Sequence, residues 1–284
     1  MSTLSSKIDF AVILRVDHAN PNGDPLNGNR PRTDYGGLGE ISDVCLKRKM
    51  RDRLQEAGHK IFVQSDDRKS DDATSLKDRA IKGLAKDFGG PKMSAKACEL
   101  WLDVRAFGQL FPYAGTKPSK GKKTEDAEAA SGSVSVPVRG PVSVQTAFSV
   151  EPVEVTSTQI TKSVSGEGDG TKRSSDTMGM KHRVDRAIYV FRGSMNPQLA
   201  ERTGFSDADA EAIKKVLPKL FENDASSARP EGSMSVLKVL WWRHSSRAGQ
   251  YSSARVHSTL KVAPDGSYTL ENLDGLAPEE IDGF

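Results

Sequence analysis

Four stretches of this chain combine residue types that suit a polyanion. The first, HANPNGDPLNGNRPRTD at 18–34, follows the apolar run IDFAVILRV after Asp17. It offers His18, Asn20, Asn22 and Asn27, the cations Arg30 and Arg32, and glycines at Gly23 and Gly28. Asn and Arg side chains donate to phosphate oxygens and sugar hydroxyls, and glycine lets a backbone approach a ligand closely. The plainer reading is a turn-rich connection between a strand and a helix. The second stretch is the basic run Lys47, Arg48, Lys49, Arg51 and Arg53, in which Lys47 and Arg51 fall one helical turn apart, as do Lys49 and Arg53. Such a run is usually a solvated face. This one begins where the Asn/Arg loop ends, so both are expected to line one anionic groove. The third, DTMGMKHRVDR at 176–186, sets Lys181, His182, Arg183 and Arg186 beside Met178 and Met180. An exposed apolar side chain among cations can wedge between stacked bases; packing at the foot of a strand is the competing reading. The fourth, DVRAFG at 103–108, puts Arg105 near Phe107, a phosphate contact with an apolar support.

Catalytic and cofactor signatures are missing. GEGDGTKRS has no Gly-Lys pair, so the phosphate-loop pattern fails. There is no G-x-S-x-G elbow, and His18, His59, His182, His244 and His257 are scattered without zinc spacing. Cys45 and Cys98 fit neither a metal site nor a disulfide framework and read as buried free thiols in a reducing compartment. No cofactor or metal is implied. Only Asp17, Asp24 and Asp34 collect near one expected cleft. The N-terminus carries no signal-peptide pattern, and the apolar runs are shorter than the ~20 residues of a membrane span. A cytoplasmic protein without membrane contact is expected. With 284 residues, 36% of them hydrophobic, the chain has enough apolar residues for a core, and its net charge of +3 leaves the placement of charge to decide the partner.

The elements that must position these groups follow from periodicity. Ile8, Phe10, Val12, Leu14 and Val16 alternate with Asp9, Ala11, Ile13 and Arg15, predicting a strand over 8–16 with one buried face. Leu46, Met50, Leu54 and Ala57 form a helical stripe over 42–58, with Ser42 at the N-cap and Gly58 at the C-terminal end. HKIFVQ at 59–64 reads as a second strand, and a helix is expected near 74–87. ACELWLDVRAFGQLF at 97–111 reads as partly helical. Residues 116–133 read as a mobile surface loop. Val142, Val144, Thr146, Phe148 and Val150 are expected on one face of a strand. A flexible Gly/Ser-rich excursion at 163–177 precedes MGMKHRV and the strand RAIYVFRG. A helix at 206–224 is capped by Ser206 and interrupted or kinked at Pro218. A strand at 235–244 and a closing hairpin around Pro-Asp-Gly complete the chain. The order suggests an α+β, ferredoxin-like βαββαβ core with insertions.

Taken together, NPNGDPLNGNRPRTD, DVCLKRKMRD, DVRAFG, RGPVSVQTAFSVEPVEV, TMGMKHRV, GFSDADAEAI and ARPEGSMSVLKVLWW resemble the backbone subunit of the CRISPR type I-C Cascade complex, in the RAMP superfamily. The resemblance covers most of the chain; 116–133 and the C-terminal tail match least. It implies a single RRM-like palm over 1–284, with fingers at about 60–135 and a β-hairpin thumb at about 152–184. It implies copies stacked head to tail along one crRNA, each thumb kinking the guide and flipping out a base, the intervening segments left to pair with target DNA. The other Cascade subunits and a separately recruited helicase-nuclease are the further partners implied. The family's Gly/Asn loop corresponds to Asn20 through Arg32 and its thumb contacts to Met178–Arg183. The aromatic RNP pattern of RRM proteins is missing from the aliphatic first strand, so RNA is expected across loops and thumb instead of on the sheet. The function implied is non-catalytic. The alternative is a metal-dependent endoribonuclease of the same superfamily, with Asp17, Asp24 or Asp34 holding Mg²⁺.

Overall fold

A computed structural model describes residues 2–113, 134–161 and 178–284; the stretches 116–133 and 163–177 lie outside the described residues. In chain order the first elements are β1 (Ile8–Ala19), β2 (Gly23–Asp24), β3 (Arg30–Pro31), β4 (Leu38–Ile41) and α1 (Asp43–Glu56). The helices α2 (Leu76–Leu84), α3 (Met93–Leu100) and α4 (Leu102–Phe107) lead into β5 (Gly108–Tyr113) and β6 (Val134–Arg139). Then come β7 (Val142–Val144), β8 (Ala147–Pro152), β9 (Val155–Thr161) and the long β10 (Met178–Met195). The remainder is α5 (Pro197–Thr203), α6 (Asp207–Val216), β11 (Met234–Arg243), α7 (Ser253–Ser258), β12 (Leu260–Val262), β13 (Tyr268–Leu270) and β14 (Glu279–Asp282).

The fold is mixed α/β around a central antiparallel sheet with strand order β14-β11-β1-β10-β8-β4. The elements β1, α1, β8, β10, α6 and β11 follow one another as strand, helix, strand, strand, helix, strand, and their strands lie in the sheet as β11-β1-β10-β8. α1 forms as its sequence dictates. Ser42 accepts the Cys45 N–H, Leu46, Met50 and Leu54 are buried, and Gly58 takes φ +89 just past the end. Ala57, expected to extend the stripe, is exposed at the cap. α6 carries a full capping box between Ser206 and Asp209 and tightens at Val216 into a 3₁₀ turn containing Pro218, which has no N–H to continue the helix.

β1 differs from expectation in being covered on both faces. Ile8, Phe10, Val12, Leu14 and Val16 pack with Leu46, Met50 and Leu54 of α1 and Ala210 and Ile213 of α6. Ala11 and Ile13 pack on the other side with Val256 of α7, Leu260 of β12 and Leu273. The polar Asp9 survives in this second layer because His244 Nε2 lies 2.9 Å and Lys7 Nζ 3.1 Å from its carboxylate. A third core, built from Phe62, Ala80, Leu84, Met93, Trp101 and Phe111, belongs to the segment inserted after α1. Burial pushes the Cys98 thiol of this core up to about 11 and raises that of Cys45, and both are free.

Two expected strands are corrected. HKIFVQ forms none: its backbone is satisfied by side chains. The Phe62 and Val63 N–H groups donate to Asp103 at 2.7 and 3.1 Å, and Arg79 donates to the Phe62 carbonyl at 2.8 Å. The run from Val142 to Val150 is two strands and not one. Val144 lies opposite Gly193, whereas Phe148 lies opposite Val190, so β7 and β8 pair with β10 in registers one residue apart. The slip is a bulge. It leaves Val142 and Val144 buried, as expected, but swings Phe148 outward and turns Ala147 and Ser149 in.

Candidate nucleic-acid interface

The Asn/Gly loop is a small hairpin. β2 and β3 pair, the Asp24 side chain accepts the Leu26 N–H at 3.2 Å to cap a 3₁₀ turn at Pro25–Asn27, and Gly28 and Asn29 both take φ +59. A Cβ at Gly23 would meet the Asn29 side chain, so a larger residue there requires that amide to move. Asn20 is buried; its Nδ2 donates to the Asn29 carbonyl at 2.7 Å. Asn22 Oδ1 accepts both the N–H and the hydroxyl of Ser42 at 2.9 Å, tying the loop to the cap of α1. Arg32 lies 3.4 Å from Asp24. Asn27 and Arg30 are exposed at the tip with Leu26, and His18 is exposed at the end of β1 with φ +51.

β9 and the first residues of β10 form the two arms of a hairpin, Met178 opposite Thr161 and Val184 opposite Val155. Met178 and Met180 are 61% and 55% exposed, so core packing is not their role. His182 is buried, with Nδ1 2.8 Å from the Ser157 hydroxyl. Arg183 donates to Asp185 at 2.9 Å; together the Thr156 hydroxyl and this guanidinium hold the Asp185 carboxyl below its ordinary value. Lys181 is exposed and makes no ion pair among the described residues. The two hairpins meet. Asn20, Gly28 and Asn29 from one, and Ile160, Met180, Lys181 and His182 from the other, line a cleft of about 200 Å³ closed by Ser227 and Ala228, with no carboxylate among the described residues of its lining.

The basic helix and the Arg105 segment do not join this cleft; their charges turn to carboxylates. Lys47 lies 2.9 Å from Asp43, and Arg48 lies 3.1 Å from Asp52 and 3.5 Å from Asp67. Lys49 pairs with Asp224, and Arg53 donates to Glu56 at 2.8 Å. Arg51 lies 3.0 Å from the buried Asp103 and 5.2 Å above the Phe107 ring. Arg105 grips Asp209 at 2.6 and 3.0 Å. Burial would raise the Asp209 carboxyl, but Arg105 and the capping box outweigh it and hold it below the ordinary value. Helical spacing gives the face on which these cations lie, not the acids that other segments bring to meet them.

Sequence reasoning missed the segment that closes the cleft. The Asn20 N–H donates to the Ala228 carbonyl at 2.9 Å, Arg229 donates to the Asn20 carbonyl at 3.4 Å, and Arg229 Nε lies 3.3 Å from Asp224. Lys49 of α1 is thereby linked to Asn20 through Asp224 and Arg229. The signal was the turn-forming Ala-Arg-Pro-Glu-Gly just before β11. The three aspartates considered for a metal have other work. Asp34 accepts the Gly36 and Leu38 N–H groups, Asp24 caps the 3₁₀ turn, and Asp17 lies between Arg15 and Arg186. Among the described residues no three His, Cys, Asp or Glu side chains group as a metal site.

With this geometry in hand, comparison with known proteins is informative. The family described as CRISPR-associated protein Cas7 matches residues 6–276. The chain belongs to that family. A CRISPR-associated protein Cas7 of Haloferax volcanii is 28% identical over 278 residues, 96% of this chain and 80% of the relative. A chain of a solved CRISPR RNA-guided surveillance complex in a pre-nicking state matches with a TM-score of 0.48 at 15% identity, over 83% of this chain and 78% of that one. A second surveillance-complex chain matches with a TM-score of 0.45 at 16% identity, over 95% of this chain and 77% of that one. In this Cas7-family chain no described helix is long and apolar enough to cross a membrane.

Proposed function

We propose that this Cas7-family chain is the non-catalytic, crRNA-binding backbone subunit of a CRISPR type I-C surveillance complex in the cytoplasm. Copies of it polymerise along the guide and present it to target DNA, alongside other Cascade subunits and a recruited helicase-nuclease. One observation carries the reading: the amide-rich hairpin at 20–32 and the Met/Lys end of β10 share a cleft that, among the described residues, holds an unpaired cation and no acid. In this reading β1, α1, β8, β10, α6 and β11 are the palm, the separate core around Phe62 and Trp101 is the fingers, and β9 with the start of β10 is the root of the thumb. Met178 and Met180 wedge the guide, Lys181 and Arg30 meet phosphates, and Asn20 and Asn22 hold the hairpin that presents backbone N–H groups. Affinity then rests on phosphates and falls with salt, log–log with a slope of about −0.7 per neutralised phosphate.

Co-expression with a CRISPR array tests this. The purified protein should carry guide-length RNA as a multimer, with a ratio of absorbance at 260 to 280 nm typical of nucleoprotein. A nucleic-acid-free monomer under the same conditions overturns the reading. Incubating the assembled complex with complementary RNA and Mg²⁺ tests for a ribonuclease: cleavage at regular intervals, abolished by Asp24→Ala, would make the chain an enzyme.

A further inference from the structure

A second cleft, of about 430 Å³, opens between the β7–β8 bulge and β12. Arg192 of β10 projects into it. Arg192 is half-buried and has no carboxylate partner among the described residues, and its Nε is buried without a hydrogen-bond partner. Burial works to lower its pKa, as expected for a cation lacking a counter-charge. A guanidinium N–H buried without an acceptor is costly unless a ligand completes it.

The surroundings define that ligand. Lys261 of β12 is exposed at the rim and, among the described residues, unpaired. Among the described residues no acid lines the cleft. Gln145 and Thr146, the residues of the bulge, contribute an amide and a hydroxyl, while Val190 gives an apolar floor. Phe148 is 41% exposed here because the bulge turned it away from the core. Two cations, an aromatic face and small neutral donors are the components of single-strand recognition, in which Arg takes a phosphate in a fork and a base stacks on a ring. An acidic peptide would engage the cations but leave the Phe148 ring without a partner. We propose that this cleft is a second nucleic-acid contact, in which Arg192 and Lys261 hold a backbone phosphate and Phe148 stacks a base of a single strand. It is separate from the Asn20–Met180 cleft and does not depend on that cleft's assignment.

Photocrosslinking of the full chain with a short single-stranded oligouridylate carrying 4-thiouridine tests both clefts at once. Mass mapping should find crosslinks at Phe148 as well as at Met180–Lys181. Phe148→Ala and Lys261→Glu, both at exposed positions, should each reduce formation of the second-cleft adduct, read at its β8 and β10 peptides, at least about fivefold, which corresponds to one lost stacked base or phosphate contact, while the Met180–Lys181 adduct persists. Arg192→Gln should do the same; should that variant not fold, the two exposed substitutions carry the test. Crosslinks confined to Met180–Lys181, or a second-cleft adduct indifferent to the variants, overturn this proposal alone. Crosslinks confined to Phe148 support it and count against the first cleft, and the lack of any adduct overturns both. A carbodiimide crosslink from Lys261 to an acidic residue of a second copy, formed without nucleic acid, would instead make the cleft a protein interface and overturn the proposal.

Discussion

Asn20 and Arg229, 209 residues apart in sequence, are hydrogen-bonded: the guanidinium donates to the Asn20 carbonyl at 3.4 Å, while the neighbouring Ala228 carbonyl takes the Asn20 N–H at 2.9 Å. The hairpin is therefore held from both sides, by its own Asn29 carbonyl and by the segment before β11. Asn20→Ala is expected to lower stability by about 1–3 kcal/mol, the cost of stranding a buried polar partner, and to weaken guide retention. Denaturant titration beside a retention assay checks this. Unchanged retention in a destabilised protein would confine Asn20 to a structural role.

The methionines are expected to behave differently. Met178→Ala combined with Met180→Ala removes exposed side chains, so stability should stay within about 0.5 kcal/mol and overall RNA affinity should change little. Chemical probing of the bound guide should lose its periodic reactivity. If the periodicity persists, the wedge idea is wrong.

Lys47 and Arg51 allow charge and architecture to be separated. The Lys47–Asp43 pair sits at the surface, where such pairs are worth about 0–1 kcal/mol. Lys47→Gln should therefore leave both the unfolding midpoint and RNA retention at raised salt nearly unchanged. Retention that falls with salt more steeply than the parent's would place this face of α1 against RNA. Arg51→Ala instead exposes the buried Asp103 charge and should cost about 3 kcal/mol. The cost falls at the low end of the range for buried pairs because Asp103 keeps the Phe62 and Val63 N–H groups.

Acid should unfold this chain in two stages. Burial lowers the His257 pKa, outweighing the nearby Asp9 carboxylate and the bond to the Gly193 carbonyl, so the fold favours the neutral ring. The unfolded ring titrates near 6.5 and binds the proton more readily, so stability falls as pH drops below that value. Burial also works to raise the Asp9 carboxyl, but hydrogen bonds from His244 and Ser253 and the Lys7 ammonium prevail and hold it below 3.8. Its contribution is full above the unfolded value and is lost as pH falls through the folded one. Urea midpoints should drop from pH 7 to 5, then more steeply below 4, and His257→Gln should flatten only the first limb. A flat profile between pH 7 and 5 would count against the His257 account.

Much of the architecture was legible because local periodicity and caps specify it: β1 by its alternation, α1 by Ser42 and the Leu46–Leu54 stripe, α6 by Ser206 and Asp209. The failures have a common origin. HKIFVQ has strand composition, but Asp103 and Arg79 arrive from elsewhere to satisfy its backbone. The Val142–Val150 alternation looked continuous because a bulge adds one residue without changing composition.

The sequence by itself determined β1, α1 and α6, through alternation, an apolar stripe and caps, and the order of its motifs carried the family resemblance. Only the tertiary structure decided which charges stay free. Lys49, Arg51 and Arg105 are neutralised by Asp224, Asp103 and Asp209, all distant in the chain, whereas Lys181 and Arg192 meet no carboxylate among the described residues. The physical reason is that ion pairing depends on separations of a few ångströms between segments, and one chain's local spacing carries no record of which distant acid the fold will bring within that range.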